Sequence, residues 1–172
     1  STGKDSVIVS LTSATGENPN EGKLTYCPKD GLLYGMTYYG GTKNFGTLFK
    51  FDPATGSDVT IMNFDSVYGI NPTGGLVYDT VNGLFYGMDY YGGSNKQGTL
   101  FSYNPVSTAY TVLENFSNTG SNFYNPSGDL ILGPNNILYG LMQAGGAHLQ
   151  GVIFAYDIAT ANDSAIYSFD VT

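Results

Sequence analysis

The residues of this 172-residue chain best suited to chemistry are few and scattered. His148 is the sole histidine, in the loop after Gly145-Gly146, and Cys27 is the sole cysteine. One imidazole without a repeated partner does not make a zinc set, so no metal site is expected. Cys27 falls on a strand face and reads as an inert buried thiol rather than a nucleophile. No Gly-x-Ser-x-Gly elbow and no phosphate loop occurs. Asp5, Asp30, Asp52, Asp58, Asp65, Asp157 and Asp163 read as turn residues that cap their own backbone. Asp79 and Asp89 sit at strand ends, from which they could converge on one rim. A glycosidase pair would need roughly 5 to 9.5 Å between carboxyls and one raised pKa. Nothing in the pattern supplies either, and Glu17, Glu21 and Glu114 fall in non-matching positions. The chain therefore reads as no enzyme. Calcium held by Asp and backbone carbonyls stays open, although no EF-hand-like loop is present; no other cofactor is implied.

The repeated aromatics are better suited to binding. Tyr38-Tyr39 and Tyr90-Tyr91 each precede a Gly pair, and polar loops over 42–45 and 94–97 follow. By strand alternation one tyrosine of each pair points into the sheet stack and the other outward. An outward ring beside glycine and amide side chains makes a shallow platform for a sugar or a partner protein. The alternative is that both rings pack between sheets. The candidate ligand-binding residues are Tyr38, Tyr39, Asn44, Tyr90, Tyr91, Asn95, Gln143 and His148. Asn115 and Asn162 open the acceptor patterns Asn-Phe-Ser and Asn-Asp-Ser, candidate glycosylation sites in a eukaryotic secretory context.

These residues are set on a repeat. Leu33-Tyr34-Gly35 returns as Phe85-Tyr86-Gly87 and Leu138-Tyr139-Gly140, so the central tyrosines lie 52 and 53 residues apart. A Gly pair follows each time, then Gly46-Thr47-Leu48-Phe49, Gly98-Thr99-Leu100-Phe101 or Gly151-Val152-Ile153-Phe154. An Asn-Pro pair precedes each core at Asn18-Pro19, Asn71-Pro72 and Asn125-Pro126. A fourth apolar run occurs once more than the others, at 7–11, 59–64, 111–116 and 165–169. The chain is thus a single repeat domain, 1–172, with units of about 12–64, 65–116 and 117–169 and an extra N-terminal strand at 6–11. Each unit reads as four short strands; in the second they cover 75–79, 84–91, 98–103 and 110–116. Asn82-Gly83, with Asp30-Gly31 and Asn135-Asn136 at equivalent places, marks a hairpin. Helix content should be very low. The glycine beside each core tyrosine marks either a close approach or a bulge.

Composition narrows the class of partner. Six lysines and no arginine against 14 acidic residues give a net charge of −8, which suits neither nucleic acid nor an anionic membrane surface. No run of 18 apolar residues exists, so membrane insertion is not expected. A start at Ser1 reads as a processed product, an excised piece or an incomplete chain. Scarce lysine, absent arginine and the acidic balance fit a secreted or cell-surface protein.

An all-β fold of β-propeller blades, three four-stranded repeats plus one strand, is the leading expectation, with a β-trefoil as the alternative. The order Leu-Tyr-Gly, Gly pair, Gly-Thr-Leu-Phe, Asp-Pro-x-Thr-Gly and Asn-Pro-x-x-Gly-Leu resembles the Gloeo/Verruco tandem repeat of large secreted bacterial proteins. Its clearest copies here are 33–56 with 71–76, and 85–105. The third unit departs from it: Asp129 interrupts the alternation, Gln143 and Ala144 replace the paired tyrosines, and Asp157-Ile158 lacks the proline. The resemblance implies a kelch-like propeller fold and no particular activity. Three blades leave an incomplete ring, so a second copy or another chain is expected to complete it through edge strands 6–11 and 165–169. The resulting function is a non-enzymatic extracellular structural, assembly or protein-interaction module. The alternative is a lectin-like propeller that binds glycans through its tyrosine rim, and a glycan-processing enzyme is the least favoured.

Overall fold

The computed structural model describes residues 7–19, 22–119 and 123–170. They form three antiparallel sheets of four strands. The first holds β1 (Thr25–Tyr26), β2 (Leu33–Thr37), β3 (Thr47–Asp52) and β4 (Ser57–Asn63). The second holds β5 (Ile70–Asp79), β6 (Leu84–Tyr91), β7 (Thr99–Tyr103) and β8 (Tyr110–Asn115). The third holds β9 (Phe123–Leu132), β10 (Ile137–Gly145), β11 (Val152–Asp157) and β12 (Asn162–Ser168). Strands pair in chain order, and the named strands pair only within their own sheet. A trefoil barrel would need ladders between units, so the trefoil alternative is set aside. The one helical piece among the described residues is the 3-10 turn Pro134–Asn136. No helix there is long and apolar enough to cross a membrane.

The turns explain where strands stop. Asp30, Asp52, Asp65, Asp79 and Asp157 each accept a hydrogen bond from the backbone N–H two residues on, at 2.8–3.0 Å. That Asx geometry bends the chain while satisfying an amide. Asp58 and Asp163, expected in turns, lie instead within β4 and β12. Both follow the first residue of an outer strand, where the chain has already left the turn. Asp5 lies outside the described residues.

The glycine beside each core tyrosine owes its place to a ring. Gly35 pairs across the ladder with Phe49, Gly87 with Phe101 and Gly140 with Phe154. A Cβ on Gly35 would meet Phe49 Cζ at 2.7 Å, and one on Gly87 would meet Phe101 Cζ at 2.5 Å. Phe154 crowds Gly140 in the same way. Each phenylalanine ring closes on its glycine, which is the close approach. In the second and third sheets the ladder to the first strand also shifts register at Gly87 and Gly140, so both readings hold there. A bulge common to all three sheets falls between the third and fourth strands, after Leu48, Leu100 and Ile153.

Two apolar layers hold the three sheets together. Between the first and second sheets, Tyr34, Met36, Leu48 and Phe64 meet Leu76, Phe85, Phe101 and Tyr103. Between the second and third, Tyr86, Met88, Leu100 and Phe116 meet Leu130, Leu138, Phe154 and Tyr156. The same repeat positions fill both layers. Phe64 approaches Phe101 at 5.8 Å between ring centroids, and Phe116 approaches Phe154 at 5.5 Å. Each fully buried ring contributes about 1.5–3 kcal/mol. The middle sheet is covered on both faces, so β6 reads as a continuous buried run rather than an alternation.

The extra N-terminal strand is not formed. Residues 7–11 carry no strand pairing, and residue 6 lies outside the described residues. Their repeat position is that of an outer strand, which pairs with the third strand of its own sheet. Among the described residues no such strand precedes residue 12, and the segment lies over the first sheet. There residues 8–11 share a cavity of about 930 Å³ with Leu24, Met36, Phe49 and Phe51. The last outer strand, β12, ends at Ser168, with Phe169 just beyond it.

Candidate functional site

The tyrosine pairs lie where the second strand of a sheet runs into its Gly-pair loop. Tyr38 and Tyr39 follow β2, while Tyr90 and Tyr91 close β6. Within each pair the rings meet edge to face, with centroids 4.7 and 4.4 Å apart. The inner ring thereby holds the outer one upright at little entropic cost. Tyr39 is 41% exposed and Tyr91 43%, so the outer rings face solvent rather than a neighbouring sheet. Asn18, Pro19, Tyr38 and Tyr39 line a groove of about 520 Å³.

The inner ring positions connect one sheet to the next. The Tyr90 hydroxyl is hydrogen-bonded to Gln143 Oε1 of the third sheet. Burial raises the Tyr90 pKa, and the nearby Tyr91 and Tyr38 hydroxyls add to the shift. Tyr38, Tyr90 and Gln143 thus form a row along one rim, one residue from each sheet.

The asparagines of the three Asn-Pro pairs position this rim, a role the candidate residues did not include. Asn18, Asn71 and Asn125 all have left-handed backbones, with φ of 50, 57 and 55°, a conformation asparagine tolerates better than most residues. Asn71 donates its backbone N–H to the Phe45 carbonyl and its Nδ2 to the Tyr38 carbonyl, both at 2.9 Å. Asn125 repeats this on the Gln97 carbonyl at 2.9 Å and the Tyr90 carbonyl at 3.2 Å. Each staple joins the start of one sheet to the tyrosine pair of the sheet before. The signal was present in the sequence as a threefold Asn-Pro.

The other candidates support loops. Asn44 Oδ1 accepts the Gly40 N–H at 2.9 Å, and its φ of 58° matches Lys96 and Leu149 at the same loop step. Asn95 Nδ2 donates to the Asn115 carbonyl at 2.9 Å, and Asn115 Oδ1 accepts the Ser94 N–H at 2.8 Å. His148 Nδ1 stands 3.5 Å from Asp170 Oδ1 on the surface. None of Asn44, Asn95 and His148 lines the Tyr38–Tyr39 groove. Asn115 is half-buried, whereas Asn162 is exposed at the start of β12.

Asp79 and Asp89 do not converge. In the β5–β6 ladder Asp79 faces Leu84 while Asp89 faces Pro72, which sets them about 17 Å apart at opposite ends of the sheet. Asp79 caps the turn into β6 through Val81, Asn82 and the Asn82 side chain. Asp89 is fully buried, and its Oδ2 accepts from Thr99 Oγ1 at 2.8 Å and the Tyr110 hydroxyl at 3.3 Å. Burial pushes its pKa up to about 8, with the two hydroxyls opposing that shift. It is therefore a neutral acid at pH 7 inside the sheet stack, out of reach of the rim. Cys27 is buried as expected. Among the described residues no three His, Cys, Asp or Glu side chains come together.

The whole chain, residues 1–172, matches the model of the Gloeobacter/Verrucomicrobia repeat. No curated protein matches it. Among solved structures it resembles a chain of a nidogen/laminin complex, with a TM-score of 0.59 at 17% identity, over 85% of this chain and 47% of that one. TolB from Acinetobacter baumannii aligns with a TM-score of 0.54 at 14% identity, over 84% and 31%. A puromycin hydrolase aligns with a TM-score of 0.55 at 18% identity, over 85% and 20%. At these identities the likeness is one of fold, and the chain spans less than half the length of each.

Proposed function

The chain belongs to the Gloeobacter/Verrucomicrobia repeat family, and from that premise we propose that it is a non-catalytic interaction module, an arc of propeller blades that engages a partner protein outside the cell through its tyrosine rim. The observation that carries this reading is the matched exposure of Tyr39 and Tyr91, each braced by its inner neighbour at the same repeat position. Rigid, half-exposed tyrosines supply contact area and a hydroxyl at low entropic cost, which is why they recur at binding surfaces. Asp89 is buried and Asp79 is bound in a turn, so this pair does not meet at the rim. The fold likeness to a chain of a nidogen/laminin complex adds weight to a protein partner.

Carbohydrate is the second reading, favoured by one feature: the groove of Asn18, Pro19, Tyr38 and Tyr39 joins an aromatic face to an amide edge. Weak sites of this kind gain strength by avidity when several blades present them. Tyr39→Ala, Tyr91→Ala and the double variant separate the readings in a glycan-array screen and a cross-linking capture from culture medium. Loss of a captured protein in the double variant, with an unchanged urea midpoint and a silent array, supports the protein-binding reading. Glycan signal lost on Tyr39→Ala selects the carbohydrate reading. Capture unchanged in the double variant overturns the rim as the binding surface.

A further inference from the structure

The outer faces of the first and third sheets expose residues that are buried at the same repeat positions elsewhere in the chain. The side of the first and second sheets that faces forward along the chain is buried by the following sheet: Tyr34, Met36 and Leu48, then Tyr86, Met88 and Leu100, are each no more than 4% exposed. The third sheet carries Tyr139, Leu141 and Ile153 at those positions, and Leu141 is 47% exposed. On the backward side, Leu76 and Leu130 are buried by the preceding sheet, whereas Leu24 at the same position is 53% exposed. Donors and acceptors match as well. Gln143 and Gln150 hold the repeat positions of Tyr90 and Gln97, whose carbonyls receive the Asn125 staple. Asn18 has the left-handed backbone of the other two stapling asparagines, and no sheet precedes it among the described residues.

Residues 8–11 lie on this backward side of the first sheet. Gly41 N–H bonds the Ser13 carbonyl and Thr47 Oγ1 the Thr15 carbonyl, as Gly93 does with Ser66 and Thr99 with Tyr68. The chain therefore enters the first sheet along the path by which it enters the second, and Leu11 takes the place of Phe64. Phe64 is the plug that one sheet sets against the phenylalanine of the next, Phe101. Leu11 lines the cavity that holds the equivalent ring, Phe49, which is only 6% exposed although no sheet among the described residues covers it. Phe169 holds the same plug position after β12: its N–H bonds the Gly151 carbonyl as those of Phe64 and Phe116 bond Gly46 and Gly98.

From this we infer that a second copy of the chain docks head to tail, its first sheet covering the third sheet of the other, and that residues 8–11 are an intramolecular cap on that docking face. The contact is face to face, continuous with the two interfaces inside the chain, and needs no strand shared across an edge. Phe169 of one copy displaces Leu11 of the other from Phe49. Two arcs of three sheets close at six, within the four to eight of closed propellers, whereas three arcs would exceed it. The inference rests on the blade reading but not on the tyrosine rim: a chain that stays monomeric yet binds through Tyr39 and Tyr91 refutes this inference alone.

Sedimentation over a concentration series tests it with four chains: wild type, one lacking residues 1–11, Leu141→Lys and Leu24→Lys. Both leucines are half-exposed, and far-UV spectra verify that the substituted chains fold. Removing the cap tightens closure of the two-chain ring about a hundredfold, because a cap closed in nine of ten molecules weakens each of the two contacts about tenfold. Each lysine variant alone is monomeric, and mixing the two restores a one-to-one complex, because each keeps the half the other has lost. Monomers at all concentrations for both wild type and the truncated chain overturn the inference, as does association that survives Leu141→Lys. Lysine variants that fail to pair on mixing overturn the head-to-tail arrangement.

Discussion

Replacing Asp89 with asparagine should remove most of the chain's loss of stability with rising pH. In the folded chain the carboxyl titrates near 8, against 3.8 for an unperturbed aspartate, because it is fully buried. No positive group offsets that cost; its partners are the hydroxyls of Thr99 and Tyr110. Between about pH 4 and pH 8 the folded state therefore holds a proton that the unfolded state has released. Stability is fully present below the unfolded pKa and falls as pH rises through the folded one, at about 1.4 kcal/mol per pH unit. Across the window the loss is several kcal/mol, a large part of the roughly 5–15 kcal/mol that keeps a domain folded.

Asparagine keeps an acceptor for Thr99 and Tyr110 and places an amide where the protonated oxygen stood. Urea unfolding at pH 5, 6, 7 and 8 measures both chains. The wild type should lose stability steadily toward pH 8, while Asp89→Asn should stay nearly level and be the more stable chain there. Glu114, its pKa raised by burial and by nearby Asp163, adds a slope of the same sign at the acid end in both proteins. A wild-type midpoint that is flat from pH 5 to 8, or an equal slope in the variant, would refute the buried neutral acid.

Three further substitutions test the packing and the staples. Gly87→Ala drives a methyl into the Phe101 ring and should cost about 1–3 kcal/mol in denaturant unfolding, as overpacking does. Asn71→Ala removes the Nδ2 bond to the Tyr38 carbonyl and leaves alanine in a left-handed backbone. It should cost about 1–3 kcal/mol by the same assay. Asn18→Ala shares the left-handed strain but has no side-chain bond among the described residues to lose, and should cost less by one hydrogen bond, ~1 kcal/mol. Asp129→Ala strips the buried Gly75 N–H of its acceptor at 2.5 Å and should cost about 1–3 kcal/mol. Asp129→Asn keeps an acceptor and loses only the exposed ion pair with Lys23, so it should recover most of that loss.

What was legible in the sequence depended on how local its cause is. The repeat and the strands reflect local alternation and turn chemistry, and β6, read as 84–91, has those bounds in the structure. Residues 7–11 have the pattern of an outer strand, but a strand also needs a ladder partner, and pattern carries no information about whether one exists. Asp79 and Asp89 looked similar because both end a strand, and only the ladder register separates the two ends of the sheet. The outward tyrosine of each pair was readable from alternation. The Asn-Pro staples were visible as a repeat but not as bonds, because their acceptors lie 33 and 35 residues away in the preceding unit.

The positions at which the three units disagree are more informative about specialisation than those at which they agree. Where they agree, as at Gly35, Gly87 and Gly140, the cause is a contact every sheet must make. Thr37, Asp89 and Met142 share one position, and its partner position holds Thr47, Thr99 and Val152. The first unit pairs two hydroxyls there at 2.9 Å, the second pairs a hydroxyl with a buried acid at 2.8 Å, and the third is apolar. The same fold thus tolerates three chemistries at a single buried site, and only the middle one titrates. At the inner edge Lys23, Gly75 and Asp129 share another position. Lys23 passes over the bare Gly75 backbone to reach Asp129 at 2.9 Å, joining the first sheet to the third across the second. A side chain on residue 75 would stand in that path. The glycine is therefore specific to the middle sheet, and it makes the three units a fixed sequence of distinct sheets rather than interchangeable copies.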